Sequence, residues 1–558
     1  MRHRIRSLIC CIFALAAIAH AQSRAAGAQS NPSSGQAGGS RVESAYQGAV
    51  HQGAAALREF LEDFPKGADL HVHLSGAVYA ETFIRDAAFD GLCIEADKLS
   101  FAKPPCTEGQ VSATQLSGDM TAANQALYDK LIDSFSLRSF VPSSGWSGHD
   151  QFFATFGRFS GLNKAHMAEW VDEVASRAAA ENNQYLELME TPVFTHAAQI
   201  ARQIGWSMAL AHADPQAFAQ FRQQLLGQGL RDEVQADRDD VSQGEKGREQ
   251  AEQCATPQPA PACQVTVRYI YQVLRGNPPE QVFAQALLGF ETVQASIAAK
   301  DETWVGINFV QPEDGFISMR DYTLQMKMVG YLRSVYPTVP ISLHAGELVM
   351  GLVPPEGLRF HIRQAVELAG AERIGHGVDV MYEDHPQQLL EELAQKHVTI
   401  EINLSSNEGI LGVSGAQHPF PIYRAAKVPV ALSTDDEGVS RIDLTNEYVR
   451  AALEYNLSYA DLEKLARTGM EHAFLPGTSL WAYQDHFEAP AKACQGDVVG
   501  GDTPSPGCKA LLDASEKATA QWELERRFHA FEAKLASGHG KQAPAASTPA
   551  QAAGSAGR

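Results

Sequence analysis

The feature that most constrains this chain is a set of eight short apolar runs separated by helical patterns. They cover 68–74, 184–190, 266–274, 304–310, 341–347, 373–379, 399–406 and 429–437. Strand-length runs alternating with helix-length segments predict a parallel sheet covered by helices. A doubly wound open sheet shares the alternation, but the count of eight predicts a closed barrel. The expected fold is therefore α/β, a (β/α)8 TIM barrel. A barrel of this kind needs about 250 residues, so a chain of 558 residues must carry large insertions, with a helical extension at its N-terminal end. The longest gap between runs is 75–183. Helices are expected over 165–182 and 319–335, and the charged stretch 231–253 reads as a solvated helix.

The two ends read differently from the middle. Arg2, Arg4 and Arg6 precede an apolar stretch over 7–19, and Ala19-His20-Ala21 has a small-x-small cleavage pattern. This predicts a signal peptide over residues 1–21. The apolar stretch is too short to span a bilayer, so no membrane association is expected after cleavage, and the chain should be exported, either periplasmic or secreted. Residues 22–45 are rich in Ser, Gly, Gln and Ala and read as a flexible linker. Residues 46–536 form the expected barrel unit, and 537–558 read as a disordered tail.

Export changes what the cysteines mean. Six lie beyond the leader as neighbours in sequence: Cys93 and Cys106, Cys254 and Cys263, Cys494 and Cys508. An oxidising compartment permits disulfides. Six cysteines allow 15 connectivities; local pairing, each bond stapling one loop, is the simplest. No C-x-x-C supports a zinc site instead. Charge narrows the partners: 45 basic against 66 acidic side chains give −21, which argues against a nucleic-acid binder.

The informative residues stand where apolar runs finish. The first run ends in His71-Val72-His73, the fifth in His344-Ala345-Gly346-Glu347, the sixth contains Gly375-His376-Gly377, and the eighth ends in Thr434-Asp435-Asp436. Residues two apart in a strand face the same side, so His71 and His73 can point together. Alone, that pair is more often structural. In a (β/α)8 barrel, however, the C-terminal strand ends converge on the active-site face, and a buried cluster of such groups is costly without a metal. His71, His73, His344 and Asp435 form a nitrogen and oxygen ligand set suited to one Zn2+ per chain, although Fe2+ or Co2+ accept similar ligands. A cation there would bring a bound water to ionise near pH 7. Glu347 is placed to pass a proton, His376 to orient the nucleophile, and Asp436 to hydrogen-bond a substrate.

Pro65-Lys66-Gly67-Ala68-Asp69-Leu70-His71-Val72-His73-Leu74, His344-Ala345-Gly346-Glu347, Arg373-Ile374-Gly375-His376-Gly377 and Ser433-Thr434-Asp435-Asp436 resemble the adenosine deaminases of the amidohydrolase superfamily in order and spacing. The resemblance spans 64–476 and looks closest to secreted adenosine-deaminase-related growth factors and exported bacterial relatives. It implies zinc on His71, His73, His344 and Asp435, with Glu347 protonating purine N1. It also implies that His376 and Asp435 position the water at C6, and that Asp436 bonds N7. It suggests a homodimer. Gln151-Phe152-Phe153-Ala154-Thr155-Phe156 resembles the family's apolar helix over the purine; Phe152, Phe153 and Phe156 share one helical face, a pattern that core packing also produces. Asn403-Leu404-Ser405-Ser406-Asn407 resembles the family's segment after the seventh strand.

Two departures bear on substrate. Ser75 stands where well-studied members have an Asp that holds the ribose 5′-hydroxyl, and Gln311 stands where the family has a glycine near purine N3. The resemblance implies hydrolytic deamination of adenosine, and of 2′-deoxyadenosine, to the inosine product and ammonia. Alternatives are another 6-aminopurine, such as 5′-modified adenosine, adenine or AMP, or a non-catalytic nucleoside-binding or signalling protein.

Overall fold

A computed structural model describes residues 34–117, 121–301 and 303–537. The expected leader 1–21, the first part of the linker and the tail from 538 onward lie outside the described residues. The linker expectation fails over 34–45: α1 (Ser34–Gln52) is already helical there. Val42, Tyr46 and Ala49 on α1 are buried with Leu57 and Leu61 of α2 (Ala54–Glu62), and the Tyr46 hydroxyl donates to the Leu457 carbonyl at 2.7 Å. The small and polar residues that suggested a linker hide an apolar face spaced for a helix.

The barrel is closed. Strands β1 (Gly67–His73), β2 (Asn183–Glu190), β3 (Thr266–Leu274) and β4 (Trp304–Val310) form one parallel sheet in that order. Strands β5 (Ser342–Ala345), β6 (Arg373–His376), β7 (Thr399–Ile402) and β8 (Val430–Leu432) form a second. Parallel bridges Ile307↔Ile341 and Val72↔Asp435 join the two at both seams. Every residue of β1, β4, β5, β6, β7 and β8 is buried, as expected when helices cover the outside and side chains fill the inside. One covering helix, α4 in the chain order used below, is apolar along most of Pro279–Ala299, long enough to cross a membrane by length and composition alone. Here it packs against β3 and β4, with Val282, Phe283, Leu287 and Phe290 fully buried.

The eight apolar runs correspond to the eight strands, but the last four stop short. The chain turns out of extended geometry at Gly346 (φ +78°), His376 (φ +70°) and Asp435 (φ +62°). The backbone leaves strand geometry at the point where β5, β6 and β8 would otherwise continue, and at His376 and Asp435 the turn redirects the side chain.

The insertion after β1 holds a small antiparallel sheet (Cys93–Glu95, Ser100–Ala102, Gln110–Ser112) and α3 (Gly148–Arg158). It has its own apolar cluster, including Phe83, Ile84, Phe101, Phe135 and Phe152. The expected helices appear as Met167–Ala180 and Phe316–Val335. The charged stretch forms helix Val234–Ala251, which is not solvated all round: Val241, Gly244 and Arg248 are buried, and it packs on Met167–Ala180. Cysteines join as Cys93–Cys106, Cys254–Cys263 and Cys494–Cys508.

Cys494 and Cys508 are fully buried, with Leu480, Ala518 and Trp522, in a separate C-terminal cluster beside α5 (Glu516–Ala536). Their bond closes a loop of sequence separation 14, for which chain entropy gives about 3 kcal/mol. Replacing both by Ser should lower the thermal midpoint while leaving the far-UV circular dichroism at 25 °C unchanged; an unaltered midpoint would remove this cluster from the stability account.

Candidate active site

The barrel seam builds the centre of the site. The Asp435 N–H donates to the His71 carbonyl at 2.8 Å, and the His73 N–H donates to the Asp435 carbonyl at 3.2 Å. Pairing β1 with the end of β8 therefore brings two histidines and an aspartate together. His344 arrives from β5: its Nε2 lies 3.1 Å from His71 Nε2 and 3.2 Å from His73 Nε2. Asp435 Oδ1 is 3.3 Å from His73 Nε2 and 3.5 Å from His71 Nε2. β6 contributes the small residue this approach needs, since a methyl group on Gly375 would overlap the His71 ring.

Outer contacts fix the ring orientations. His71 Nδ1 donates to Glu401 Oε2 at 2.7 Å, and His344 Nδ1 donates to Asn308 Oδ1 at 2.9 Å. With both rings neutral, the Nε2 lone pairs face each other, a repulsion that a cation held between them would relieve. Separations of 3.1 and 3.2 Å approximate the edge of a tetrahedron whose metal–nitrogen bonds are about 2.0–2.1 Å. The donor set fits a divalent metal, with His71, His73, His344 and Asp435 able to hold it.

Glu401 is itself held: Arg373, buried between strands, donates to Glu401 at 2.6 Å and to Glu187 at 2.5 Å, with the Phe474 ring 3.8 Å away. Glu401, Asn308 and Arg373 were not singled out from sequence. Their partners are distant in the chain, and only the alternation of inward-facing polar residues along β4 and β7 could have hinted at them.

A cavity of about 320 Å³ opens above this centre, within the range of small-molecule sites. His73, His344, His376, Glu347, Asp435 and Asp436 line its floor, and Ser75, Gln311, Phe152, Phe153 and Phe156 line it elsewhere. His71 is the one proposed ligand beneath the lining. Gly76 makes room for Asp436, because a methyl group there would overlap the carboxylate. Glu347 Oε1, Asp436 Oδ1 and His376 Nε2 are buried without a hydrogen-bond partner in the protein, so all three are free to meet a ligand.

Burial pushes the Glu347 and Asp436 carboxyls well above their ordinary values, and Asp435 adds to both rises. Burial opposes ionisation of Asp435 too, but His71 and His73 outweigh it and hold that carboxyl well below the usual range. His376 is pushed down to about 4, chiefly by burial. The site thus separates carboxyls that keep a proton from one that does not, the arrangement expected where acid and ligand roles are divided.

Glu313, in the segment after β4, is the anchor behind Glu347. Its carboxylate accepts from the Gly346 N–H at 3.0 Å and the Glu347 N–H at 2.8 Å, and it pairs with buried His361. Gln311 sits at φ +86°, a glycine-like backbone. Its side-chain oxygen accepts from the Gly276 N–H at 2.8 Å, so that atom is tied to the end of β3.

α3 roofs the cavity. Ser147 and Asp150 form a capping box at its start, and His149 Nε2 lies 2.9 Å from Asp314 Oδ1. Phe152 is 2% exposed and belongs to the insertion's core, whereas Phe153 and Phe156 are only partly buried. The phenylalanine face therefore packs the insertion and lines the cavity at once.

Residues 233–486 match the adenosine deaminases. The match takes in the strand ends that carry His344, Glu347, His376, Asp435 and Asp436, and covers just under half of the chain. His71 and His73 lie outside the matched residues, and barrel closure carries them to His344 and Asp435. An adenosine deaminase of Clostridium perfringens is 34% identical over 135 residues, 24% of this chain and 37% of the relative. The match thus spans little more than a third of that relative's length. Among solved structures, an Arabidopsis N6-mAMP deaminase is 21% identical with a TM-score of 0.46, covering 75% of this chain and 95% of that one. An amidohydrolase from Burkholderia ambifaria with bound zinc is 15% identical with a TM-score of 0.48, covering 87% and 95%.

Outer partners of metal-ligating histidines commonly govern affinity by about 10–100-fold. Asn308→Ala should weaken metal binding by that factor, read by chelator competition. Wild-type affinity would show that Asn308 does not orient His344.

Proposed function

We propose that this protein is an exported, zinc-dependent hydrolase that converts adenosine and 2′-deoxyadenosine to the inosine product and ammonia. The observation that carries the reading is the convergence, on one nucleoside-sized cavity, of a four-donor metal set with a buried, proton-retaining Glu347. A non-catalytic binder has no need of that combination.

Zinc bound by His71, His73, His344 and Asp435 would supply Lewis acidity and a water that ionises near neutral pH. The chain's own groups do the rest. Glu347 gives its proton to ring nitrogen N1, so that electron density withdrawn from C6 has somewhere to go as the oxygen adds. His376 orients that oxygen. The Asp436 carboxyl hydrogen-bonds N7. Phe152, Phe153 and Phe156 cover the base and keep bulk water out, which strengthens every polar contact beneath them. Glu347, ionised by giving its proton to N1, then carries the hydroxyl proton of the adduct to the amino group; the C6–N bond breaks, ammonia leaves, and C6 keeps the 6-oxo group. The three local disulfides support export, because such bonds persist in oxidising compartments.

The purified, zinc-loaded protein should convert adenosine to inosine, followed by ultraviolet absorbance. Glu347→Gln, which cannot give up a proton in the same way, should lower kcat by about 10²–10⁴-fold, the usual weight of a general acid. No conversion of adenosine by the folded, metal-loaded chain would defeat the adenosine assignment.

Ser75 is exposed at the cavity and uncharged, which favours 5′-modified nucleosides as further substrates. A charged hydrogen bond is worth about 1.5–3 kcal/mol. Ser75→Asp should therefore raise the preference for a free 5′-hydroxyl over a 5′-blocked analogue by about tenfold or more, and an unchanged ranking would take Ser75 out of 5′ recognition.

A further inference from the structure

His376 can act as donor or acceptor toward the cavity, and the choice depends on which ring nitrogen carries its proton. A chain of buried contacts makes that choice. It begins at Phe420, whose backbone N–H donates to His418 Nδ1 at 3.1 Å. A backbone N–H has no lone pair to offer, so His418 Nδ1 is bare and its proton sits on Nε2. That Nε2 lies 3.0 Å from Asn407 Oδ1, which fixes the otherwise ambiguous Asn407 amide with its oxygen toward His418. The Asn407 NH2 group must then face His376, and its Nδ2 is 3.0 Å from His376 Nδ1. Asn403 Nδ2 approaches the same nitrogen at 3.3 Å.

Two donors meet at His376 Nδ1, so that atom accepts and the proton stands on Nε2. His376 and Asn407 are fully buried and His418 is 2% exposed, so solvent does not compete for these contacts. His376 Nε2 has no protein partner: Asp435 Oδ2 is 3.9 Å from it, Glu347 Oε1 stands 3.7 Å from Nδ1, beyond hydrogen-bond reach, and the ring lines the cavity.

We propose that His418, acting through Asn407, is a positioning residue that fixes His376 as the Nε2–H tautomer. His376 is then a hydrogen-bond donor to the attacking oxygen, and it cannot be the base that takes the water's proton. The direction is set more than 40 residues along the chain from His376, at a backbone amide that cannot titrate. The tautomer stands on the contacts alone; its catalytic consequence rests on the deaminase reading above.

Two readouts separate these. In wild-type protein carrying 15N-histidine, long-range proton–nitrogen correlation, assigned by the signals lost in His376→Asn, should show a bare Nδ1 and a protonated Nε2. A protonated Nδ1 overturns the proposal whether or not the protein deaminates anything.

In the adenosine assay, Asn407→Asp replaces the donor by an acceptor of the same size and should draw the proton to Nδ1. It should lower kcat at least about 100-fold, the scale of losing one preorganised donor, with KM within about threefold and zinc content unchanged. His418→Phe should lower kcat, and His418→Gln, which restores an N–H toward Asn407, should recover most of it. Full kcat in Asn407→Asp, or equal loss in both His418 variants, overturns the positioning role. Wild-type protein inactive on every 6-aminopurine nucleoside would instead defeat the functional reading, leaving the tautomer to the spectrum.

Discussion

The site depends on a backbone pairing. Asp435 exchanges hydrogen bonds with His71 and His73 across the seam where β8 meets β1, so the contact that closes the barrel also assembles the metal-binding donors. Asp435 makes that contact with φ at +62°, a region that costs a non-glycine residue of order 1–3 kcal/mol and persists only where the surroundings over-determine it. They do so here. Ser406 donates to Asp435 Oδ2 at 2.6 Å, and the preceding Thr434 hydroxyl donates to Asp69 Oδ2 at 2.7 Å. A chain that failed to close this seam would lose both its last ladder bonds and three of the four donors' alignment, so folding and site formation are one event on this side of the barrel.

Behind the seam, buried charge is handled in two opposite ways. Arg373, Glu187, Glu401 and His71 form a connected set in which every charge meets an opposite or polar group. Removing one member of such a set leaves its partners uncompensated and typically costs 3–5 kcal/mol, so these residues act as a rigid base. On the cavity side, Glu347 and Asp436 are just as buried but have oxygens with no protein partner. Burial and the neighbouring Asp435 push both carboxyls toward the protonated form. The same low dielectric that locks the base keeps the working groups protonated, and the difference lies only in whether the protein or a ligand completes their bonds.

This division explains what the sequence made legible. Apolar runs and the ionisable residues at their ends are local signals, and the barrel, Glu347 and the His and Asp donors are all written locally. Strand lengths were overestimated at β5, β6 and β8 because hydrophobicity continues past the residues whose backbone turns away. The supporting shell was invisible: Glu401 meets His71 across 330 positions and Asn308 meets His344 across 36, and neither pair has a sequence spacing that predicts contact. The expected linker failed for the converse reason, since Val42 and Tyr46 carry a buried helical face inside a segment whose composition is polar and small.

The roof of the cavity comes from a different part of the chain from its floor. α3 and its phenylalanines belong to the insertion after β1, whose apolar cluster is separate from the barrel core. The roof packs on the segments that follow β4, β7 and β8: its apolar cluster takes in Ile410 and Val439, Arg441 pairs with Glu81, His149 meets Asp314, and Gly148 lies so close to the Gly409 carbonyl that a methyl group would not fit. The roof is thus anchored on the same end of the barrel that carries the donors, whose own positions are set by the seam. Ser75 and Gln311 follow closely on β1 and β4, so the walls of the cavity and its floor are built on the same strand ends, and only the phenylalanines of α3 come to it from the insertion.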